Sequence, residues 1–288
     1  MAAEPADWQR SVYAIVVAQF MVFVGFNLVI PFMPLFIQEL GIHDRGQVAA
    51  LAGLQQTASA IGLAVFAPIW GSVGDRIGRK PMFLRAVGLG AILIGGLALV
   101  RNIGQLLVLR FLIGALTGVQ APAMALVSTL APRARTGYVV GLIQMAVYSG
   151  MFAGPLVGGL LADVIGFRRT FLLGSAFLAL AALAIILFVR EGFVKPPPRD
   201  RAGLSWLGDL KKLVAAEHLF VLLATVFCIS FAVQGLPPIL PLFIQQLPAL
   251  PGTPAALTGI ALGTAGVCAA ISAPLLGRLA ARVGYGVI

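Results

Sequence analysis

Charge is what this sequence has least of. Asp, Glu, Lys and Arg make up 10% of its 288 residues, against about 25% in a soluble globular chain. Hydrophobic residues reach 60% and the mean hydropathy is +1.00. That balance excludes a soluble domain and predicts an all-α polytopic membrane protein. Eight runs stay apolar over the roughly 20 residues that a helix needs to cross a bilayer core of about 30 Å: 12–38, 49–73, 82–100, 104–131, 137–162, 169–189, 219–246 and 256–277. A β-barrel is excluded, because its strands would alternate over about ten residues. Pro31, Pro34, Pro68, Pro122 and Pro155 fall inside these runs and predict kinks or tilts. The first run, about 27 residues long, exceeds the apolar part of a cleavable leader.

Other scarcities narrow the function. The two histidines, His43 and His218, sit at loop or span edges, and no Asp or Glu falls in the middle of a span. A membrane enzyme would need a convergent set of such groups, so no enzyme, cofactor or metal site is expected. Cys228 and Cys268 lie within the seventh and eighth runs and read as small buried thiols, with neither disulfide nor metal. Glu39 and Asp163 stand at the outer ends of spans and Asp75 in a loop, so a proton-carrying carboxylate is either Glu39 or Asp163, or belongs to spans beyond these eight.

Acids are also scarce relative to bases, giving a net charge of +10. The excess orients the chain and does not recruit nucleic acid. Fifteen Lys and Arg fall in loops on the side of the N-terminus, and four (Arg45, Arg101, Arg168, Arg169) on the other. This bias predicts a cytoplasmic N-terminus.

The chain repeats itself. Residues 31–40, "PFMPLFIQEL", and 238–247, "PILPLFIQQL", share the pattern P-x-x-P-L-F-I-Q-x-L at an offset of 207. "AALAG" at Ala49 recurs as "AALTG" at Ala255, and "APIWG" at Ala67 as "APLLG" at Ala273, at an offset of 206. The unit is six spans plus a linker. The expected domains are a six-span bundle over 1–190, a cytoplasmic linker over 191–217, and spans seven and eight of a second bundle over 218–288. The linker is rich in charge and proline. Its stretch from Trp206 to Val214 fits a surface amphipathic helix or a plain connector. A full second repeat would run to about residue 400, so four further spans are expected.

Four stretches concentrate the unusual residues. "GSVGDRIGRK" (71–80) holds Asp75, Arg76, Arg79 and Lys80 among its glycines, Gly71 and Gly78 included. It is no phosphate loop, because a long apolar helix precedes it where a strand is required. Its glycines allow helix ends to approach, a carboxylate there can cap a neighbouring helix, and its arginines can pair with acids or lipid phosphates. "RFLIGALTG" (110–118) puts Arg110 inside the fourth span. An arginine at mid-membrane costs about 2.5–3.5 kcal/mol on insertion scales and usually faces the protein interior; the competing placement is snorkelling to the outer surface. "GMFAGPLVGG" (150–159) repeats Gly150, Gly154 and Gly158 on one helix face beside Pro155 and Gly159, with small partners expected on the eighth span at Gly259, Gly263, Gly266 and Ala270. "GFNLVIPFMP" (25–34) places Asn27 at mid-span. With Gln55, Gln56, Gln120, Gln144, Tyr148 and Gln234 it supplies sparse polar groups, and Phe23 and Phe26 add aromatic surface. Such a mixture suits a cavity for varied lipophilic substrates or, residue by residue, glue between helices.

Together these motifs resemble the major facilitator superfamily, in its twelve-span drug:proton antiporter branch and, within it, the MdtG-type multidrug efflux transporters. The resemblance implies a major facilitator fold: a complete N-terminal six-helix bundle and the first two helices of the C-terminal one. It implies proton-coupled export of lipophilic or amphiphilic drugs by alternating access in a bacterial inner membrane, with lipid bilayer, protons and a small lipophilic substrate as partners. By the same resemblance Arg110 assists proton coupling, the Gly150–Gly159 helix marks an exporter, and the 71–80 loop gates the cytoplasmic side, Asp75 locking the two halves through the eleventh span. The alternatives are proton-coupled uptake of a small metabolite, which the glycine motif argues against, and a truncated chain inactive on its own.

Overall fold

In a computed structural model, residues 5–191, 217–247 and 253–283 are described. They form ten α-helices: α1 (Pro5–Asn27), α2 (Met33–Glu39), α3 (Arg45–Ile77), α4 (Arg79–Leu97), α5 (Ile103–Leu116), α6 (Gln120–Leu130), α7 (Thr136–Ile165), α8 (Phe167–Phe188), α9 (Glu217–Ile244) and α10 (Pro254–Val283). The first expected span is α1 and α2 joined by a 3-10 turn, Ile30–Phe32, and the fourth is α5 and α6 joined through Thr117–Val119. All eight runs are helical. Seven segments of the described residues are long and apolar enough to cross a bilayer, and Pro254–Cys268 of α10 is a shorter apolar stretch. The 191–217 linker, with its Trp206–Val214 stretch, lies outside the described residues except at its two ends.

Proline breaks helices in two of the expected places and not in the others. Pro31 sits in the 3-10 turn, while Pro34 and Pro122 occupy the first turns of α2 and α6, where a missing N–H costs nothing. Pro68 and Pro155 lie inside the uninterrupted helices α3 and α7. Single residues reverse the chain between α3 and α4 and between α7 and α8. These are Gly78 (φ +108°) and Gly166 (φ +81°), in the left-handed region that favours glycine. Elsewhere side chains start the helices: Asp44 Oδ1 accepts from Gln47 N at 2.8 Å and Asn102 Oδ1 from Gln105 N at 2.9 Å.

The first span is central, with Ile15, Ala18, Val22 and Leu28 wholly buried. It packs on α7 and α8, while α3 packs on α5, α4 on α8, and α7 on α10. Lipid offers no hydrophobic drive between helices, so close contact needs small residues. A Cβ on Gly62 would lie 2.8 Å from Ala115 N, and one on Gly174 would lie 2.7 Å from Gly25 O. Outward faces are apolar: Val164 is 81% exposed, Leu99 77% and Phe231 73%, a surface suited to acyl chains. Cys228 and Cys268 are free and exposed, which corrects the expectation of buried thiols. α9 touches its neighbours near its C-terminal end, where Leu242 is buried, and residues 221–236 are exposed.

Candidate functional site

A cavity of about 800 Å³ lies among α1, α3, α4, α5, α6, α7 and α9. Of the residues expected to line it, Phe23, Phe26, Asn27, Gln56, Gln120 and Gln234 do so. Gln144 is not among the lining residues but accepts at Oε1 from Nε2 of Gln120, which is, at 3.4 Å, and Tyr148, 54% exposed, is not among them either. Asn27 has a structural duty too: its Nδ2 donates to Phe23 O at 2.8 Å in the last turn of α1. Gly71, Asp75 and Arg79 also reach the cavity wall, so the cavity extends to the loop between α3 and α4.

Arg110 is 1% exposed, lines the cavity and donates from Nε to Gln55 Oε1. It faces the protein interior and does not snorkel. Its Nη2 has no hydrogen-bond partner among the described residues. Two further residues on this wall were not singled out from sequence. Arg85, counted there only as an orienting charge, holds its guanidinium carbon 3.6 Å from the centre of the Trp70 ring. Trp70 is fixed in turn by its Nε1–H, which donates to Ala115 O at 2.7 Å. A cation over an indole face is worth about 2 kcal/mol or more when desolvated.

The 71–80 stretch, expected as a loop, is the last turns of α3, Gly78 and the first residues of α4, and its own acid caps neither helix. Among the described residues none pairs with or hydrogen-bonds the Asp75 side chain, and Arg76 is exposed beside it. The carboxylate that caps a neighbouring helix is Glu191, just beyond α8. Its Oε1 accepts from Arg79 N at 2.9 Å and its Oε2 from Lys80 N at 2.8 Å, at the N-terminus of α4. Lys80 completes the exchange, donating from Nζ to Val189 O at 2.6 Å at the C-terminus of α8. Each helix end thus meets charge of the opposite sign. Gly78 permits the turn that aims the two amides at Glu191. Arg79 Nη1 reaches the other way, to Ala125 O at 2.8 Å. Glu191→Ala is expected to cost about 1–2 kcal/mol, the worth of a helix cap, with Glu191→Gln falling between. Thermal unfolding of purified protein reads the difference, and an unchanged midpoint would show that the cap contributes nothing.

The glycine stripe of α7 has a partner other than the expected one. Gly150, Gly154 and Gly158 pack on the first span: a Cβ at Gly150 would lie 2.7 Å from Phe23 Cβ, and one at Gly154 2.7 Å from Asn27 Cβ. The eighth span packs on the adjacent face, where a Cβ on Gly159 would lie 2.5 Å from Ala255 O and one on Gly259 2.5 Å from Pro155 O. Gly263 meets Leu156 and Gly266 meets Phe152. Side-chain contacts of Ala270 lie outside the described residues. α7 is therefore a two-sided spacer between the first span and α10.

At the end opposite the 71–80 loop the two repeats touch. Gln38 Nε2 donates to Gln245 Oε1 at 3.1 Å, and Gln245 Nε2 to Gln38 Oε1 at 3.0 Å. These residues are equivalent in the duplication, 207 positions apart. Nearby, Thr253 Oγ1 donates to Asp163 Oδ2. The cavity reaches the charged turn at Gly74, Asp75 and Arg79, and the seam between repeats, whose residues do not line it, lies at the opposite end of the spans.

The profile described as the Major Facilitator Superfamily matches residues 15–288. The multi-drug resistance efflux pump PmrA of Streptococcus pneumoniae serotype 4 is 34% identical over 281 residues, covering 96% of this chain and 69% of that protein. The multidrug resistance protein MdtG of Proteus mirabilis is 34% identical over 278 residues, with the same coverage. In fold the chain is similar to a bacterial homologue of the human lysosomal transporter Spinster, solved in an inward-facing and unoccupied conformation. The TM-score is 0.76 at 18% identity, over 98% of this chain and 64% of that one. It is also similar to a D-xylose–proton symporter, with a TM-score of 0.64 at 14% identity, over 94% and 69%.

Proposed function

This chain belongs to the Major Facilitator Superfamily, and from that premise we propose that it exports lipophilic or amphiphilic compounds across the bacterial plasma membrane in exchange for protons, by alternating access. The observation that carries the reading is the cavity of about 800 Å³, walled by Phe23, Phe26 and a few amides and guanidinium groups, with the repeats joined beyond one end. A mostly apolar chamber with sparse polar groups accepts varied lipophilic bodies. The relatives named as multidrug efflux pumps support export as the direction.

The distribution of Lys and Arg gives the sidedness: the 71–80 loop and the N-terminus are cytoplasmic. The Gln38–Gln245 seam then closes the outer side, and the cavity is reached from the cytoplasm. The bundle over 1–190, the linker over 191–217 and the second bundle from 218 move as two rocking bodies about this site. Arg110 ties the site to proton movement, Asp75, Arg76 and Arg79 gate the cytoplasmic mouth around Gly71 and Gly78, and the α7 glycines set the spacing against the first and eighth spans.

Cells expressing the protein from its own gene are expected to extrude a lipophilic dye, and a protonophore is expected to stop them. Arg110→Ala is expected to slow that efflux by roughly tenfold or more, at least about 1.4 kcal/mol of lost barrier reduction. Efflux that persists undiminished under the protonophore would refute proton coupling, and net accumulation would refute export.

A further inference from the structure

We propose that the cavity selects amphiphiles with an anionic head group, a carboxylate, sulfonate or phosphate, held on the unpaired guanidinium donors of Arg85 and Arg110. The inference rests on the export reading and names the substrate class for that same site. Three guanidinium groups stand on one cavity wall, stepped along the fourth span. Arg110 belongs to α5 itself. Arg85 lies over Trp70, which is tied to Ala115 five residues further along α5, about 7.5 Å at the α-helical rise. Arg79 is tied to Ala125, in α6. Asp75 is the one acid among the lining residues, and it sits at the loop end, where the chain turns into α4.

Among the described residues, the deep part of the wall therefore carries cations with no carboxylate to neutralise them. Nη2 of Arg110 and both Nε and Nη1 of Arg85 are buried without a hydrogen-bond partner among the described residues. Arg110 is almost wholly buried, so these donors represent a large unmet desolvation cost. An oxyanion meets that cost with charge-assisted hydrogen bonds. Phe23, Phe26, Ile30 and Leu63 line the same cavity and offer an apolar bed for the remainder of the molecule. A cationic amphiphile of the same shape meets repulsion from all three arginines, so the wall discriminates by sign as well as by shape.

The test is equilibrium binding to the purified full-length protein in phosphatidylcholine nanodiscs, read as energy transfer from tryptophan to a dansyl group. The probes are a dansyl-labelled undecanoic acid, its methyl ester and its quaternary ammonium analogue. The acid is expected to bind at least about tenfold more tightly than the ester, the worth of a hydrogen bond to a charged group, and the ammonium compound more weakly than either. Arg85→Gln is expected to shrink the gap between acid and ester severalfold, and Arg85→Lys to keep more of it than Gln does. Equal binding of acid and ester, or tighter binding of the ammonium compound, would overturn the proposal on the unaltered protein alone. So would an acid–ester gap that Arg85→Gln leaves intact. Nanodiscs containing phosphatidylglycerol separate two sources of the same chemistry: displacement of the acid assigns the anion site to a bilayer lipid, and its retention assigns it to a free amphiphile. Binding is read without a gradient, so loss of sign selectivity leaves export standing, and a failed efflux experiment leaves the anion site standing.

Discussion

Gly158→Leu is expected to eliminate folded protein from the membrane, with Gly154→Leu close behind. The reason is that α7 and the first span meet through backbone. A Cβ at Gly158 would meet Leu28 O and lie 2.8 Å from Leu28 Cα, while one at Gly154 would lie 3.0 Å from Asn27 C and 3.1 Å from Val24 O. Overpacking an ordinary core costs about 1–3 kcal/mol because side chains yield. Here the nearest atoms are backbone at Gly158 and, at Gly154, backbone and a Cβ, none of which can swing away by rotation, so the helices must separate, which undoes van der Waals contact along their length. Alanine grades the effect. Gly158→Ala is expected to lower the unfolding midpoint most, with Gly154→Ala and Gly150→Ala following, because at Gly150 the nearest atom is the Phe23 Cβ and at Gly158 it is a carbonyl oxygen. Gly141 supplies the control. It lies in the same helix with nothing within 4 Å of a built Cβ, so Gly141→Ala is expected to be neutral or stabilising by about 0.5–1 kcal/mol. Thermal unfolding in detergent decides the order, and a Gly158→Ala protein as stable as Gly141→Ala would refute the backbone contact.

That stripe also shows what a sequence encodes and what it does not. Spacing by four places Gly150, Gly154 and Gly158 on one face, and burial bears this out, but spacing cannot say which helix the face meets. The eighth span was a natural partner because it too is rich in glycine; it packs instead beside the stripe, on Gly159 and Pro155. Membrane spans are legible for the simple reason that lipid demands long apolar helices, and the same property hides which apolar face is lipid-exposed. Hence the eight spans lie where hydropathy puts them, while Cys228 and Cys268 lie on the outside instead of the inside. Arg110 was legible because a lone charge within a span must turn inward. Arg85 was not: six residues into α4, it falls among the loop charges in any count along the chain, and only packing brings it over Trp70. Glu191 was hidden in the same way. It is 112 residues from the amide it caps, and no local pattern links the two.

Bridging Gln38→Cys to Gln245→Cys with a short bismaleimide is expected to stop transport completely. The two glutamines occupy equivalent positions of the repeat and exchange one hydrogen bond each way, at 3.1 and 3.0 Å, so the pseudo-two-fold relation between the halves passes between their amides. Under the alternating access proposed above, a cycle that opens the outer side must pull this pair apart, whatever else it moves. The free pair contributes about 0.5–1.5 kcal/mol per hydrogen bond, together roughly 1–3 kcal/mol, or about 5- to 150-fold in favour of the closed outer side. A covalent link raises that bias beyond any substrate's reach. Gln38→Ala with Gln245→Ala is expected to do the reverse, populating the outward-open form without abolishing transport, while either single change leaves one amide unpaired and perturbs more than its share. Cys228 and Cys268 are exposed on α9 and α10 and must first become serine, since both would consume the reagent. Efflux from vesicles treated with a cleavable linker separates a lock from damage: transport lost on bridging and regained on cleavage means the seam has to open in every cycle. Undiminished efflux from bridged protein would mean that Gln38 and Gln245 move together and that the halves part elsewhere.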